Sequence, residues 1–235
     1  MTAGQPGSAS IEQPDYWWYR ARSDLLQAAL GPHAGTPRRL LDVGSADGPS
    51  VSWLHSPMHV SVDVDLRGLR PRDGVCASAL SLPFADHSFD LVSAFDVIEH
   101  CDPDSTVLAE FYRVLRPGGR LLLSVPAYAW AWTNHDVRAG HYRRYTRGTL
   151  VRAVSGAGYS IRRVSHGFAG VFPFFAAERA VRRVRRPAAG DSTLPQVSPA
   201  LERVFLALSR GEARLLARRD LPVGSSVFLA ADKPV

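Results

Sequence analysis

Short apolar runs that alternate with helical patterns constrain the fold of this chain more than any other feature. Five runs of strand length occur in the first half, at residues 39–43, 59–64, 75–77, 89–95 and 120–125. Between the last two, residues 106–115 repeat apolar side chains at helical spacing, and Pro117-Gly118-Gly119 is expected to end that helix. Strands alternating with helices in this way are typical of parallel βαβ units. The sequence therefore predicts an α/β fold with a doubly wound sheet.

The flanking segments complete this architecture. Residues 15–30 are predicted to form an N-terminal cover helix that Asp15 caps and that Gly31 and Pro32 end. Residues 126–145 lack periodicity, and a loop of this length is usually either functional or disordered. Its many aromatic residues favour a functional loop, which is called the aromatic lid below. Thr146 is expected to cap a helix, and residues 201–216 to form another. Strands predicted at residues 159–166 and 225–230 bring the sheet to seven.

Length and composition favour one elaborated domain. The chain has 235 residues, of which 46% are hydrophobic and 21% charged, as in ordinary globular proteins. Residues 1–14 are polar, without the basic and apolar runs of a signal peptide, and are predicted to be a disordered tail before a single domain at 15–235. Cys76 and Cys101 are too few for a disulfide scaffold, which favours a cytoplasmic location.

The loop after the first strand carries the first chemical signal. Residues 40–48 read LLDVGSADG, in which Gly44 and Gly48 allow a tight turn and a close approach of the backbone to a ligand. Asp42 can accept hydrogen bonds, and Asp63, at the end of the second strand, can hold both hydroxyls of a ribose. The carboxyl ends of parallel strands are where such sheets bind ligands. We therefore expect a nucleoside-type cofactor at this edge.

Residues 40–126 resemble the class I S-adenosylmethionine-dependent methyltransferases. The segments LLDVGSADG, SVD, SLPFADHSFDLVSAFDVIEH and EFYRVLRPGGRLLLSVP follow one another in the order and spacing of that family. The resemblance implies a Rossmann-like methyltransferase fold and S-adenosylmethionine as cofactor. By that resemblance, eight residues are expected to contact the cofactor: Asp42, Gly44, Ala46 and Gly48 at the methionine, Asp63 at the ribose, Ser78 and Ala79 at the adenine, and Phe95 at the sulfonium.

Two residues depart from the family pattern. Ala46 stands where the family commonly has the middle glycine of this loop. Its methyl group is expected to narrow the space inside the loop without closing it. Ser78 stands where an aspartate is usual, and its hydroxyl accepts a hydrogen bond less strongly than a carboxylate. Dinucleotide-dependent hydride transfer is disfavoured, because Trp53 and Leu54 occupy positions where that type of loop needs small residues.

Three histidines are candidates for the general base of methyl transfer. His100 follows the fourth strand, while His135 and His141 lie in the aromatic lid. The run HDVRAGHYRRYT resembles a segment of the type 11 branch of the family that covers the acceptor pocket, which favours His135 or His141 over His100. A packing or capping role remains the alternative for His100, and a hydrogen bond that stabilises the lid remains the alternative for His135 and His141.

Other reaction classes are disfavoured by missing motifs. The fourth strand is followed by DVIEH instead of the Asn-Pro-Pro-aromatic run of nucleic-acid amino-methyltransferases, and no metal cluster is recognisable from spacing. A small or lipid-like acceptor, methylated at oxygen, is the favoured interpretation. A non-catalytic cofactor-binding module, acting as a partner or regulatory subunit, is the alternative.

Charge is distributed unevenly along the chain. Residues 1–125 carry a net charge of −5 and residues 126–235 one of +11. Residues 168–186 join an apolar decapeptide to an arginine-rich run, and ten apolar residues are too few to span a bilayer. Three interpretations stay open for this segment, which belongs to a predicted lid and acceptor region at 126–220. It is a lid helix with a solvated arginine face, a helix that touches an anionic membrane or lies near a lipid acceptor, or a site for an anionic acceptor such as a nucleotide sugar. A nucleic-acid partner is not expected.

Overall fold

A computed structural model of the chain describes residues 16–45, 51–69, 74–184 and 197–235. The predicted disordered tail lies outside these residues. The helices and strands, numbered in chain order, are α1 (Trp17–Ala34), β1 (Arg39–Val43), β2 (Met58–Asp63), β3 (Gly74–Cys76), β4 (Phe89–Phe95), α2 (Asp104–Val114), β5 (Leu115–Pro126), α3 (Asn134–Ala139), α4 (Arg147–Gly156), β6 (Ser160–Gly167), α5 (Phe172–Val184), α6 (Pro199–Leu216) and β7 (Ser226–Asp232).

The strands form one seven-stranded sheet in the order β3-β2-β1-β4-β5-β7-β6. The first five are parallel, and β7 runs antiparallel to both β5 and β6. The strand order reverses between β1 and β4, and open α/β sheets generally bind their ligands outside the carboxyl ends of the strands at such a point. The predicted doubly wound, seven-stranded α/β fold is confirmed.

Alternate residues of the central strands face two separate apolar cores. Leu41 and Val92 point to one core with α2 and α4, whereas Leu40 and Leu91 point to the other with α1 and α6. All four are fully buried. Because both faces are covered, the strands are apolar throughout, and that is why they appear in the sequence as continuous apolar runs.

Helix α1 extends beyond its predicted end. Pro32 lies inside the last turn and the helix continues to Ala34, where Gly35 adopts a φ of +65°. Ala34 is buried against the second core. This packing overrides the local tendency of proline to end a helix, so the prediction that Gly31 and Pro32 end α1 was wrong.

The turn after α2 also differs from the prediction. Helix α2 ends at Val114, and Pro117-Gly118-Gly119 lies within β5 instead of stopping the helix. Gly118 has a φ of +71°, and the pairing of β4 with β5 shifts register beside it. The backbone of Lys233 bonds both glycines, with N–O distances of 2.9 and 2.8 Å. Pairing with the chain end therefore holds this irregular segment in the sheet.

The aromatic lid is a loop that leaves the sheet after β5 and whose two ends are hydrogen-bonded to each other. The backbone N of Tyr128 donates to the carbonyl of Tyr145 over 2.8 Å, and the N of Tyr145 donates to the carbonyl of Pro126 over 2.9 Å. The segment between them contains α3, which Thr133 caps with a capping box. Thr146 caps α4 in the same way, as predicted. Both ends of the lid are thus anchored beside the carboxyl end of β5.

Candidate active site

The carboxyl ends of β1, β2 and β4 place the first set of predicted residues at one edge. Gly44 follows β1 with a φ of +76°, and its N donates to the Val62 carbonyl over 2.8 Å. A Cβ at this position would lie 2.4 Å from Cγ2 of Val97, on the loop after β4. Conformation and space both require glycine here. The loops after β1 and β4 therefore approach each other more closely than any side chain at position 44 would allow.

Two buried carboxylates flank this turn. Asp42 is buried within β1 and accepts a hydrogen bond from Ser93 Oγ on the neighbouring β4 over 2.8 Å. Asp63 ends β2, and its Oδ1 accepts from the N of Asp65 over 2.8 Å. The edge is therefore acidic and suits hydroxyl or cationic groups of a ligand.

The remaining predicted cofactor residues occupy different surroundings. Ser78 is exposed after β3, where its Oγ accepts from the N of Leu80, and Ala79 is buried beside it. Phe95 ends β4 with its side chain buried in the second core, 6.4 Å between ring centroids from Trp53. Ala46 and Gly48 lie outside the described residues.

An ion pair that was not predicted crosses the end of β4. Arg22 of α1 is fully buried and contacts Asp96 over 3.1 Å and Ser124 Oγ over 3.1 Å. Ser124 in turn donates to Asp96 over 2.9 Å, and Asp96 has a φ of +56°. In the sequence, Arg22 stood among the apolar positions of a helix. An arginine at a position that the helical spacing turns toward the core was the signal in the sequence, because a buried arginine needs a carboxylate partner.

One lid histidine, His141, is held by a buried carboxylate. Nδ1 of His141 lies 2.8 Å from Oδ1 of Asp136, and Nε of Arg144 lies 2.7 Å from the same oxygen. Asp136 is fully buried; burial raises its pKa, but the bonds from His141 and Arg144 outweigh this and hold the pKa below its ordinary value. An ionised Asp136 therefore fixes Nδ1–H of His141 as a donor. His135, on the first turn of α3, is exposed.

His100 and His141 meet, although they come from different loops. Their rings are 4.5 Å apart between centroids and nearly perpendicular, whereas His135 and His141 are 6.5 Å apart. Desolvation by the surrounding loops, followed by the nearby His141, lowers the pKa of His100 to about 4. The His100 ring is therefore neutral at physiological pH. The structure thus places the rings of His100 and His135 within 6.5 Å of the His141 ring.

Glu99 is the second residue that sequence reasoning missed. It lies in the single turn after β4 and is fully buried, and its backbone carbonyl accepts from the N of Tyr142 over 2.8 Å. Burial, and then the charge of Asp96, raises the pKa of its carboxyl well above the ordinary value. Its position between strand edge and lid could not be read from the motif DVIEH alone.

Comparisons with known proteins indicate a family for part of the chain. Residues 41–123 match the methyltransferase domain family, Methyltransf_11. This segment is a methyltransferase domain of that family. The chain is 33% identical over 131 residues to an uncharacterized methyltransferase of Mycobacterium marinum, covering 51% of each protein. It is also 33% identical over 153 residues to a demethylmenaquinone methyltransferase of Beutenbergia cavernae, covering 60% of each. The chain thus spans between half and three fifths of the length of these relatives.

A solved structure shares the fold over nearly the whole chain. It is a SAM-dependent methyltransferase of Thermotoga maritima, described as a possible histamine N-methyltransferase, with a TM-score of 0.62 and 16% identity over 96% of this chain and 97% of that one. At this identity the likeness shows the fold alone.

The methyltransferase domain match has a defined extent in the structure. It runs from β1 into β5 and so includes Gly44, Asp63, Glu99 and His100. It ends before the lid and therefore excludes His135 and His141. Within the described ranges, none of the helices has the length and apolar content that a bilayer crossing requires.

Proposed function

We propose that this protein transfers a methyl group from S-adenosylmethionine to a hydroxyl of a small or lipid-like acceptor. The observation that carries the proposal is the approach of the loops after β1 and β4 at Gly44, within the segment that matches the methyltransferase domain. A glycine turn allows close approach of the backbone to a ligand, and the two carboxylates beside it suit the hydroxyl and cationic groups of such a nucleoside.

The residues at the edge fit this cofactor, which supplies a methyl group on a positively charged sulfur. Asp42 and Gly44 are proposed to hold the methionine part, with Ala46 and Gly48 completing the same loop. Asp63 is proposed to accept from the ribose hydroxyls, because a carboxylate at the end of β2 suits that role. Ser78 and Ala79 are proposed to border the adenine, and the end of β4 at Phe95 to border the sulfur.

The lid supports an acceptor with apolar character. Trp130 is 40% exposed and stacks on Tyr128 with 5.7 Å between ring centroids. Phe172 of α5 lies 6.3 Å from Trp130 and extends the same aromatic surface. Such a surface suits the apolar ring or chain of an acceptor. One relative, in Beutenbergia cavernae, is named a demethylmenaquinone methyltransferase, and that name indicates demethylmenaquinone as the acceptor of that protein.

A lid histidine is proposed to take the acceptor proton. As the acceptor oxygen bonds to the methyl carbon and the carbon–sulfur bond breaks, the hydroxyl proton must leave, and an imidazole nitrogen is a suitable base. His135 and His141 are both candidates. His100 is the third, with its low pKa arguing for a weaker base.

Helix α5 supports a second contact, with an anionic membrane. Its Phe172 packs on the lid, whereas Phe174 and Val181 are each 51% exposed. Arg179 covers the ring of Phe175 at 4.7 Å. Exposed apolar side chains beside arginine are the features of an interfacial helix.

The test uses the purified protein with a panel of hydroxylated acceptors. Formation of S-adenosylhomocysteine above the rate without acceptor supports methyl transfer. Binding of S-adenosylhomocysteine by calorimetry without turnover on any acceptor would favour the non-catalytic module. Absence of binding would contradict both.

A further inference from the structure

The structure brings three metal-ligating side chains together between the strand edge and the lid. Glu99 and His100 lie in the turn after β4, and His141 follows α3. One ligand atom from each residue lies within 4.8 Å of the others. The sequence predicted no metal cluster, because His141 is far from the other two along the chain. The folding of the lid over the turn creates the cluster.

Glu99 shows that this cluster differs from an ordinary surface group. Its side chain is fully buried, and both carboxylate oxygens lack a hydrogen-bond partner in any other described residue. An unpaired buried carboxylate is costly, and such groups are normally hydrogen-bonded or bound to a metal. Asp96, Arg22 and Arg144 are near enough to affect the carboxyl group electrostatically, but none of them hydrogen-bonds to it. A cation between Glu99 and the histidines would provide the missing partner.

Each histidine has the partner that a metal ligand needs on its other side. Nδ1 of His141 donates to the ionised Asp136, which leaves Nε2 for the cluster. Metal-binding histidines usually donate their second nitrogen to a carboxylate or a backbone carbonyl in this way. The ring of His100 has the backbone of Ala139 and Gly140 beside it.

We propose that Glu99, His100 and His141 together bind one divalent transition-metal ion of the zinc type. Two imidazoles and one carboxylate suit such ions better than Mg²⁺ or Ca²⁺, which prefer oxygen ligands. Ligands about 2.0–2.2 Å from an ion lie at most roughly 4.4 Å apart, so a spread of 4.8 Å closes with small side-chain rotations. Part of His100 is exposed, so one side of the ion remains open to a further ligand.

A role for this ion rests on the proposed function. An acceptor hydroxyl bound at the open position would lose its proton more readily, because a bound metal lowers the pKa of an oxygen ligand. His141 would then serve as a ligand, and His135 would remain the lid histidine that takes the proton.

The test measures metal binding directly and does not depend on an activity assay. Tag-free full-length protein, stripped with a chelator and dialysed, is titrated with ZnCl₂ by calorimetry. We expect one equivalent to bind and the melting temperature to rise. Glu99→Gln and His141→Ala are each expected to weaken binding more than about tenfold, since loss of even an outer-shell partner costs 10–100-fold. His55→Ala, which removes an exposed histidine elsewhere, is the matched control and should bind zinc like the wild type.

The outcomes separate this proposal from the proposed function. Melting curves of the metal-free variants check that each one folds, and Glu99→Gln should melt close to the wild type because it replaces one unpaired buried polar group with another of the same size. Failure of the wild type to bind zinc stoichiometrically, or equal binding by His141→Ala, overturns the metal site. A parallel titration with S-adenosylhomocysteine tests the cofactor site, and its failure with zinc binding intact would overturn the proposed function instead.

Discussion

The strand edge and the aromatic lid hold their polar groups in different ways. At the edge, backbone conformation places the groups: Gly44 turns at a positive φ and bonds to the next strand, and Asp63 ends a strand. In the lid, side chains hold one another, since Asp136 binds both His141 and Arg144. The first kind of placement follows from local sequence, and the second depends on packing.

This difference suggests that the two regions have separable tasks. The edge lies within the methyltransferase domain match, whereas the lid lies beyond it. We expect changes at the edge to affect cofactor binding and changes in the lid to affect turnover. The predictions below test that separation, beginning with the largest expected effect.

Removal of both lid histidines should abolish most of the turnover. His135→Ala/His141→Ala is expected to lower kcat about 10²–10⁴-fold, because a general base contributes that much. Calorimetry with S-adenosylhomocysteine should give an unchanged Kd. Single-turnover rates with an active acceptor measure the effect, with His55→Ala as the control. Full activity in the double variant would show that the lid supplies no base.

A side chain at Gly44 should weaken binding of the cofactor, in contrast to the lid variant, whose Kd should not change. Gly44→Val forces a branched residue into a positive φ and against Val97, so the turn must shift from its position. We expect this shift to weaken binding of S-adenosylhomocysteine about tenfold, which corresponds to about 1.4 kcal/mol. Gly211→Ala is the matched control, because a Cβ there meets no atom within 4 Å. That control should retain binding and raise the free energy of unfolding by about 0.5–1 kcal/mol, because alanine favours a helix interior. Unchanged binding by Gly44→Val would remove the basis for the cofactor site.

The buried ion pair at Arg22 should contribute to stability. Arg22→Met leaves Asp96 without its cation and is expected to lower the free energy of unfolding by about 3 kcal/mol, the lower end for a broken buried pair. Urea denaturation measures this. Arg20→Met, on the same helix, breaks the more exposed 3.6 Å pair with Glu202 and should change stability by less than about 1 kcal/mol. Equal effects of the two variants would mean that the Arg22 contact is not structurally important.

Membrane contact by α5 is expected to be the smallest effect. The protein should sediment weakly with anionic vesicles at low salt and be released near 0.15 M salt, because electrostatic attraction is screened there. Phe174→Ser should reduce sedimentation further, as it removes an exposed apolar side chain. A protein that stays in the supernatant at low salt would leave α5 as a packed lid helix with a solvated arginine face.

Much of the architecture could be predicted from the sequence because it depends on local signals. Apolar runs located the strands to within a few residues, and Thr146 marked the start of α4. Gly44 and Asp63 could be placed at the same edge, since the carboxyl ends of parallel strands meet there. Where local signals competed with packing, prediction failed: Pro32 did not end α1, because burial of Ala34 carries the helix onward.

The contacts of the lid and of the buried charges required the tertiary structure. Arg22 meets Asp96, and Glu99 meets His141, across large separations along the chain. Such pairs depend on how whole elements pack, and neither periodicity nor motif spacing encodes that distance. Backbone turns and strand ends carry their information in neighbouring residues, whereas a cluster of charged side chains acquires its neighbours, and therefore its chemistry, after the chain has folded.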